Sequence, residues 1–228
     1  MTVLYIDMEH DHVRGDAGRA LHHRAKLEEA RIRLALAARE PCTLLHFGEV
    51  SLDQIEAIAP SAIVLSGSTT DWAEYEFPAL EQLLTIIRAA PVPILGICAG
   101  HQLIGFAHGA AWGPLGVLQE GELDPDPSFA RGNRKNRGFK PVQIDDRCLL
   151  FQGLDDTALF FQSHYWQLEA VPSGFMARAS CVWSPIQAIE RLDRLVFGVQ
   201  FHPERYDAAH PAGEVVLRNF FALVHSED

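Results

Sequence analysis

The sequence has little cysteine and no pairing pattern for what it has. Cys42, Cys98, Cys148 and Cys181 are widely spaced, and no CxxC pair occurs. That argues against a disulfide framework and the common zinc arrangements, and points to a reducing, cytoplasmic setting. Basic residues are few: 19 Lys and Arg stand against 30 Asp and Glu, for a formal net charge of −11. Nucleic-acid binding through a general electrostatic footprint is therefore disfavoured. No apolar run is long enough to span a bilayer, and Met1 to Asp7 leads into a strand-like segment without a secretory signal. There is no internal repeat, no ATP-binding motif and no second catalytic domain, so residues 1–228 read as one domain. His10, His12, His22 and His23 crowd the N-terminal region, but sequence alone gives them no convergent ligand geometry. They read as polar surface, and neither a metal nor an organic cofactor is expected.

What is present is an alternating pattern. Short apolar runs at Val3–Ile6, Cys42–Phe47, Ala62–Leu65 and Val92–Leu95 read as strands. Between them, Ala17–Arg39, Ser51–Ile58 and Pro78–Arg88 read as helices, and His101–His108 follows as another. Uniformly apolar strands separated by helices signify a parallel sheet covered on both faces. Beyond Trp112 the strand candidates Phe139–Ile144, Ala158–Phe161, Met176–Ser180, Ile186–Glu190 and Leu195–Phe201 come without long helices, which predicts an antiparallel extension. An amphipathic helix, Gly213–Val224, closes the chain. Residues 121–140 form a long Pro-, Gly- and Asp-rich loop carrying a basic cluster from Arg131 to Lys140, read as solvated surface.

Two motifs carry chemistry. In Gly96-Ile97-Cys98-Ala99-Gly100-His101-Gln102 a strand enters and a helix leaves, so Cys98 sits on a sharp turn, expected to be exposed, at the sheet's carboxyl edge. The flanking glycines permit a strained backbone, and the helix N-terminus favours a thiolate. In Gly198-Val199-Gln200-Phe201-His202-Pro203-Glu204, His202 ends a strand and Pro203 stops the pairing. In an extended backbone Glu204 projects to the same side as His202 and can hold its imidazole toward a nucleophile.

Both segments resemble those of the class I glutamine amidotransferases, through the patterns G-x-C-x-G-x-Q and G-x-Q-x-H-P-E. The resemblance implies an α/β, flavodoxin-like parallel sheet covered by helices, with an antiparallel extension. It implies a Cys98–His202–Glu204 triad and an oxyanion hole of backbone N–H groups from Ala99 and from Gly67 or Ser68. Ser68 and Thr69 stand where the family usually has a second glycine and a proline. Gln102 matches a glutamine that contacts substrate, and Ser163-His164-Tyr165-Trp166 resembles the segment whose backbone holds the substrate's α-groups. His164, Tyr165 and Trp166 are thus candidate binding residues, and the two bulky aromatics suggest an apolar pocket for a leaving amine. The implied reaction is hydrolysis of a γ-glutamyl amide through a thioester on Cys98. The alternatives are a glutaminase subunit feeding ammonia from glutamine to a separate synthetase, a catalytically silent binding or regulatory module, and a cysteine peptidase.

Overall fold

The computed structural model describes residues 1–226. Its centre is a nine-stranded sheet. The strands β1 (Val3–Asp7), β2 (Cys42–His46), β3 (Ala62–Leu65) and β4 (Ile94–Ile97) pair in parallel in the order β2-β1-β3-β4. The last strand, β11 (Val196–Val199), joins this block in parallel against β4. Beyond it β10 (Ser184–Arg191), β9 (Phe175–Cys181), β6 (Asn136–Ile144) and β7 (Thr157–His164) continue the sheet antiparallel. The expected parallel core and antiparallel extension are both present. A separate two-stranded sheet, β5 (Trp112–Pro114) with β8 (Trp166–Leu168), was not legible in the sequence.

The alternation within β1 shows why both faces are covered. Val3 and Tyr5 enter one apolar cluster with α2 (Ala17–Ala38) and α6 (Ala212–His225). Leu4 and Ile6 enter the other, with α4 (Phe77–Ala89) and α5 (Ala99–Ala107). A four-residue α1 (Asp11–Arg14) and a short α3 (Leu52–Ile58) complete the helices. Local chemistry sets the ends. Asp16 caps α2 by accepting from the N–H groups of Gly18 and Arg19, and Ser51 and Gln54 form a reciprocal capping box on α3.

Two boundaries shift in ways that matter. β4 ends at Ile97 and α5 begins at Ala99, so Cys98 alone makes the turn. The 121–140 segment is a loop only as far as Lys135, because Asn136 already belongs to β6.

Candidate active site

Cys98 lies at φ 52, ψ −101, where side chains with a Cβ are rarely found. The flanking glycines do not carry this strain. A Cβ on Gly96 would stand 2.6 Å from the backbone of Gly100, and one on Gly100 would stand 2.6 Å from the Leu65 Cβ. Their task is to let α5 sit close against β3 and β4 so that the turn can be this tight. The backbone of Cys98 is fixed from both sides. Its N–H donates to the Val199 carbonyl at 2.8 Å, and its carbonyl accepts from Gln102 N–H at 3.0 Å.

The expected exposure of Cys98 is overturned: the residue is 4% exposed. It faces a small space of ≈ 20 Å³ bordered by Phe129, Tyr165 and Trp166, with room for about one water molecule. Phe129 belongs to the segment read as a solvated loop, and its ring meets Tyr165 edge-on at 5.4 Å. The basic cluster in that loop is neutralised from within. Lys135, its side chain fully buried, pairs with Asp124 at 2.9 Å, Arg134 with Glu122 at 2.7 Å and Arg137 with Asp126 at 2.9 Å. It is an internally cross-braced cover, not a free cationic surface.

His202 and Glu204 come together by a route other than an extended strand. β11 stops at Val199, and Pro203–Arg205 is a single 3-10 turn. The His202 N–H donates to the Phe161 carbonyl at 2.8 Å, which sets where the imidazole starts. Its Nδ1 donates to Glu204 Oε1 at 2.7 Å. Burial opposes a charge on this ring, but the Glu204 carboxylate and the neighbouring Cys98 sulfur outweigh it and lift the pKa to about 10. Nε2 is buried without a protein hydrogen-bond partner. Gly67 lies against both side chains: a Cβ there would come within 2.8 Å of His202 Cε1 and 3.4 Å of Cys98 Cβ.

The backbone amides singled out in the sequence are available. Among the described residues, no protein acceptor takes the N–H of Gly67, Ser68 or Ala99. Ser68 and Ala99 border the same small space as Cys98. What holds the Ser68–Thr69–Thr70 loop without the usual glycine and proline is Glu9, which sequence reading missed. This carboxylate is 1% exposed and accepts from Ser68 Oγ at 2.9 Å, Thr69 N–H at 2.8 Å, Thr69 Oγ1 at 2.7 Å and Thr70 Oγ1 at 2.6 Å. Burial alone would raise its pKa, but these bonds more than offset that and hold it below the usual carboxylate value. The signal was an acid just past the end of the first strand, at the carboxyl edge where parallel sheets build their sites.

The remaining candidates are placed differently from expectation. Gln102 is 2% exposed, and its amide is engaged with protein. Its Oε1 accepts from Trp72 Nε1 at 2.7 Å, and its Nε2 donates to the Trp166 carbonyl and to Gln200 Oε1. Gln200 Nε2 in turn reaches Cys98 Sγ at 3.6 Å. This chain of amides braces the cysteine. His164 is buried and neutral, its pKa pushed down to about 4 chiefly by burial, and its Nδ1 donates to the Trp166 carbonyl. Tyr165 Oη and Trp166 Nε1 both donate to Asp71 Oδ2, at 3.0 and 3.3 Å. Pinned there beside so small a space, the aromatics do not form a pocket for an apolar amine. The open space is elsewhere: a cavity of ≈ 530 Å³ on the His202 side, which meets the small one at Ser68 and Ser163. Of the histidine-rich N-terminal region, His22 and His23 border this cavity, while His23 is tied to Asp7 at 3.0 Å. Among the described residues no three His, Cys, Asp or Glu side chains converge as metal ligands, and no helix is long and apolar enough to cross a membrane.

A strained cysteine between a parallel strand and a helix, with a carboxylate-held histidine beside it, is the construction of a thiol-dependent hydrolase on an α/β sheet. Residues 30–224 match the family model described as glutamine amidotransferase class-I. The chain belongs to the class I glutamine amidotransferase family. It is 31% identical over 178 residues to the separately encoded glutamine-hydrolyzing subunit of GMP synthase from Pyrococcus abyssi, a match covering 75% of this chain and 80% of that protein. It is 32% identical over 175 residues to the glutamine-hydrolyzing GMP synthase of Parafrankia sp., covering 77% of this chain but only 29% of that longer protein. In fold it follows a Thermoplasma acidophilum crystal structure, provisionally described as a GMP synthase subunit. That likeness has a TM-score of 0.71 at 22% identity and covers 100% of this chain and 96% of that one.

Proposed function

We propose that this chain hydrolyses the γ-amide of glutamine or of a γ-glutamyl amide through a thioester on Cys98. The observation that carries the reading is the state of His202. Its Nδ1 is committed to Glu204, while Nε2 is buried beside the Cys98 turn with no protein partner. A ring held as imidazolium next to a sulfur makes an ion pair that can attack and protonate in one encounter. The thiolate adds to the γ-carbonyl carbon, and the N–H groups of Ala99 and of Gly67 or Ser68 receive the oxyanion. Collapse breaks the C–N bond as His202 gives its proton to the departing amine, leaving the thioester. His202, now neutral, takes a proton from water as it attacks, and glutamate leaves with the thiolate restored. Admitting a glutamyl chain requires the Phe129 cover to move, since the closed space holds about one water molecule.

Glutamine is the simplest substrate, and the named glutamine-hydrolysing relatives support it. The match to a glutamine-hydrolysing subunit on its own chain supports release of ammonia to a synthetase on another chain. The cavity beyond His202 favours a second reading in which a larger amine leaves. The deciding experiment incubates the purified protein with glutamine and a panel of γ-glutamyl amides and measures glutamate. Release from none of them sinks the reaction. Release from glutamine alone, enhanced by an added synthetase, selects the coupled reading.

Two variants test the roles. Glu204→Gln removes the charge that keeps His202 protonated, so kcat for glutamine should fall by roughly 10²-fold or more with KM little changed. The alkaline limb of the pH–rate profile, set in the parent by the raised pKa of about 10, should move toward neutrality. A rise in KM with an unmoved profile would assign Glu204 to substrate binding instead. Glu9→Gln replaces an acceptor of four donors by a group that also donates, and should disturb the Ser68–Thr70 loop. Turnover should fall by about tenfold or more, while alkylation of Cys98 by iodoacetamide, which forms no oxyanion, keeps its rate. Equal losses in both would mean general collapse of the site.

A further inference from the structure

The ≈ 530 Å³ cavity beyond His202 has an unbalanced wall. Each of its carboxylates is already committed. Glu9 holds the Ser68–Thr70 loop, Glu29 pairs with Arg33 at 2.6 Å, Glu204 with His202 at 2.7 Å and Asp207 with His210 at 2.9 Å. Two cations are not committed. Lys26, on α2, and Arg205, on the turn after His202, both border the cavity, and neither has a carboxylate within ion-pair distance among the described residues. Arg205 instead lies over the Phe161 ring, its Cζ 3.6 Å from the centroid. In a chain with a formal charge of −11, two positive groups left without acids around one cavity are a specific arrangement. Burial, together with the charges of Arg205 and Arg137, lowers the pKa of Lys26, consistent with cations crowded about a shared space. Leaving such groups partly desolvated and unpaired costs free energy that a bound anion offsets, with Arg suited to a bidentate carboxylate or phosphate contact.

Position gives the anion a meaning. His202 borders the same cavity, and in the reaction above it is the proton donor to the departing nitrogen. Whatever is attached to that nitrogen extends into this space, past the apolar faces of Phe139 and Phe161. We propose that the cavity is a leaving-group subsite for an amine bearing an anionic group, held by Lys26 and Arg205, so that the preferred substrates are γ-glutamyl amides of carboxylate- or phosphate-bearing amines. This rests on γ-amide cleavage at Cys98.

The test compares matched amides on the full chain. γ-Glutamyl-β-alanine and γ-glutamyl-propylamide differ chiefly by the terminal charge, and kcat/KM should favour the former by at least about tenfold. The γ-glutamyl amide of 2-aminoethyl phosphate, run alongside, shows whether carboxylate or phosphate is the better fit. Lys26→Glu should erase most of the preference while glutamine hydrolysis stays at the parent rate, because glutamine places nothing in the subsite. Equal kcat/KM for the matched pair, or a ratio unmoved by Lys26→Glu, overturns the proposal. If no amide, glutamine included, yields glutamate, the Cys98 reaction is wrong. Calorimetric binding of the same pair to the Cys98→Ala protein then decides the subsite: tighter binding of the β-alanine amide sustains it, and equal or absent binding overturns it.

Discussion

Replacing Cys98 with alanine should abolish glutamate release, a fall of at least about 10⁴-fold, because without the sulfur no thioester forms and the other groups retain only residual catalysis. The fold should survive. The residue is 4% exposed, so the substitution leaves a small void, costing about 1 kcal/mol. Alanine meets the same backbone strain at φ 52 as cysteine does, so no new strain enters. The thermal midpoint should drop by only a few degrees, with the far-ultraviolet dichroism unchanged. The other thiols supply the controls. Burial pushes Cys42 and Cys148 up to about 12, which leaves them unreactive at neutral pH, and Cys181 lies in β9 away from the catalytic turn. Alanine at any of these three should keep most turnover. Wild-type activity in the Cys98→Ala protein would end the proposed mechanism.

The second large effect is expected far from the sulfur, at Gly213. A Cβ there would lie 2.2 Å from the Pro203 carbonyl oxygen and 3.0 Å from the Pro203 carbonyl carbon and Cα. These are backbone atoms and cannot swing aside as a flexible side chain could. Gly213 lies in the first turn of α6, so α6 is docked directly on the turn that joins His202 to Glu204. Gly213→Ala must therefore lift the helix or push the turn. Overpacking of this kind costs about 1–3 kcal/mol or more, read as a lower midpoint in urea. A displacement of about 1 Å at the histidine would cost about 10²-fold in turnover. A variant with parent stability and parent kcat would show that the helix and turn are not in the close contact described.

The sequence made the parallel half plain because each of its strands is apolar throughout and is followed by a capped helix, as Ala62–Leu65 and Ser51–Ile58 illustrate. It made the His–Glu pair plain because Pro203 announces the end of pairing. It misjudged the surroundings of Cys98 for a definite reason: local pattern tells what the backbone does at a turn, not which distant segment lies over it. Phe129, which borders the cysteine, belongs to a segment without periodicity. The apparent basic patch at 131–140 was misread because charge was counted along the chain without its neighbours. Glu122, Asp124 and Asp126, a few residues upstream, pair with Arg134, Lys135 and Arg137. Tyr165 and Trp166 looked like a pocket because their bulk is visible in sequence, whereas their shared acceptor Asp71 is distant and depends on the fold.

The strand order sets when the chemistry can begin. β11 is the last strand made, yet it lies between β4 and β10, and its Val199 carbonyl holds the Cys98 amide. During synthesis the first four strands and the cysteine emerge well before the residues that complete the sheet and supply His202 and Glu204. A nascent chain therefore carries its thiol without a base, and with one side of β4 unpaired. Only insertion of β11 into the middle of the sheet closes that gap and brings the imidazole to the sulfur. Assembly of the centre of the sheet and acquisition of a working nucleophile are thus a single event, late on the ribosome, and a product truncated before residue 204 would be both unfinished and chemically silent.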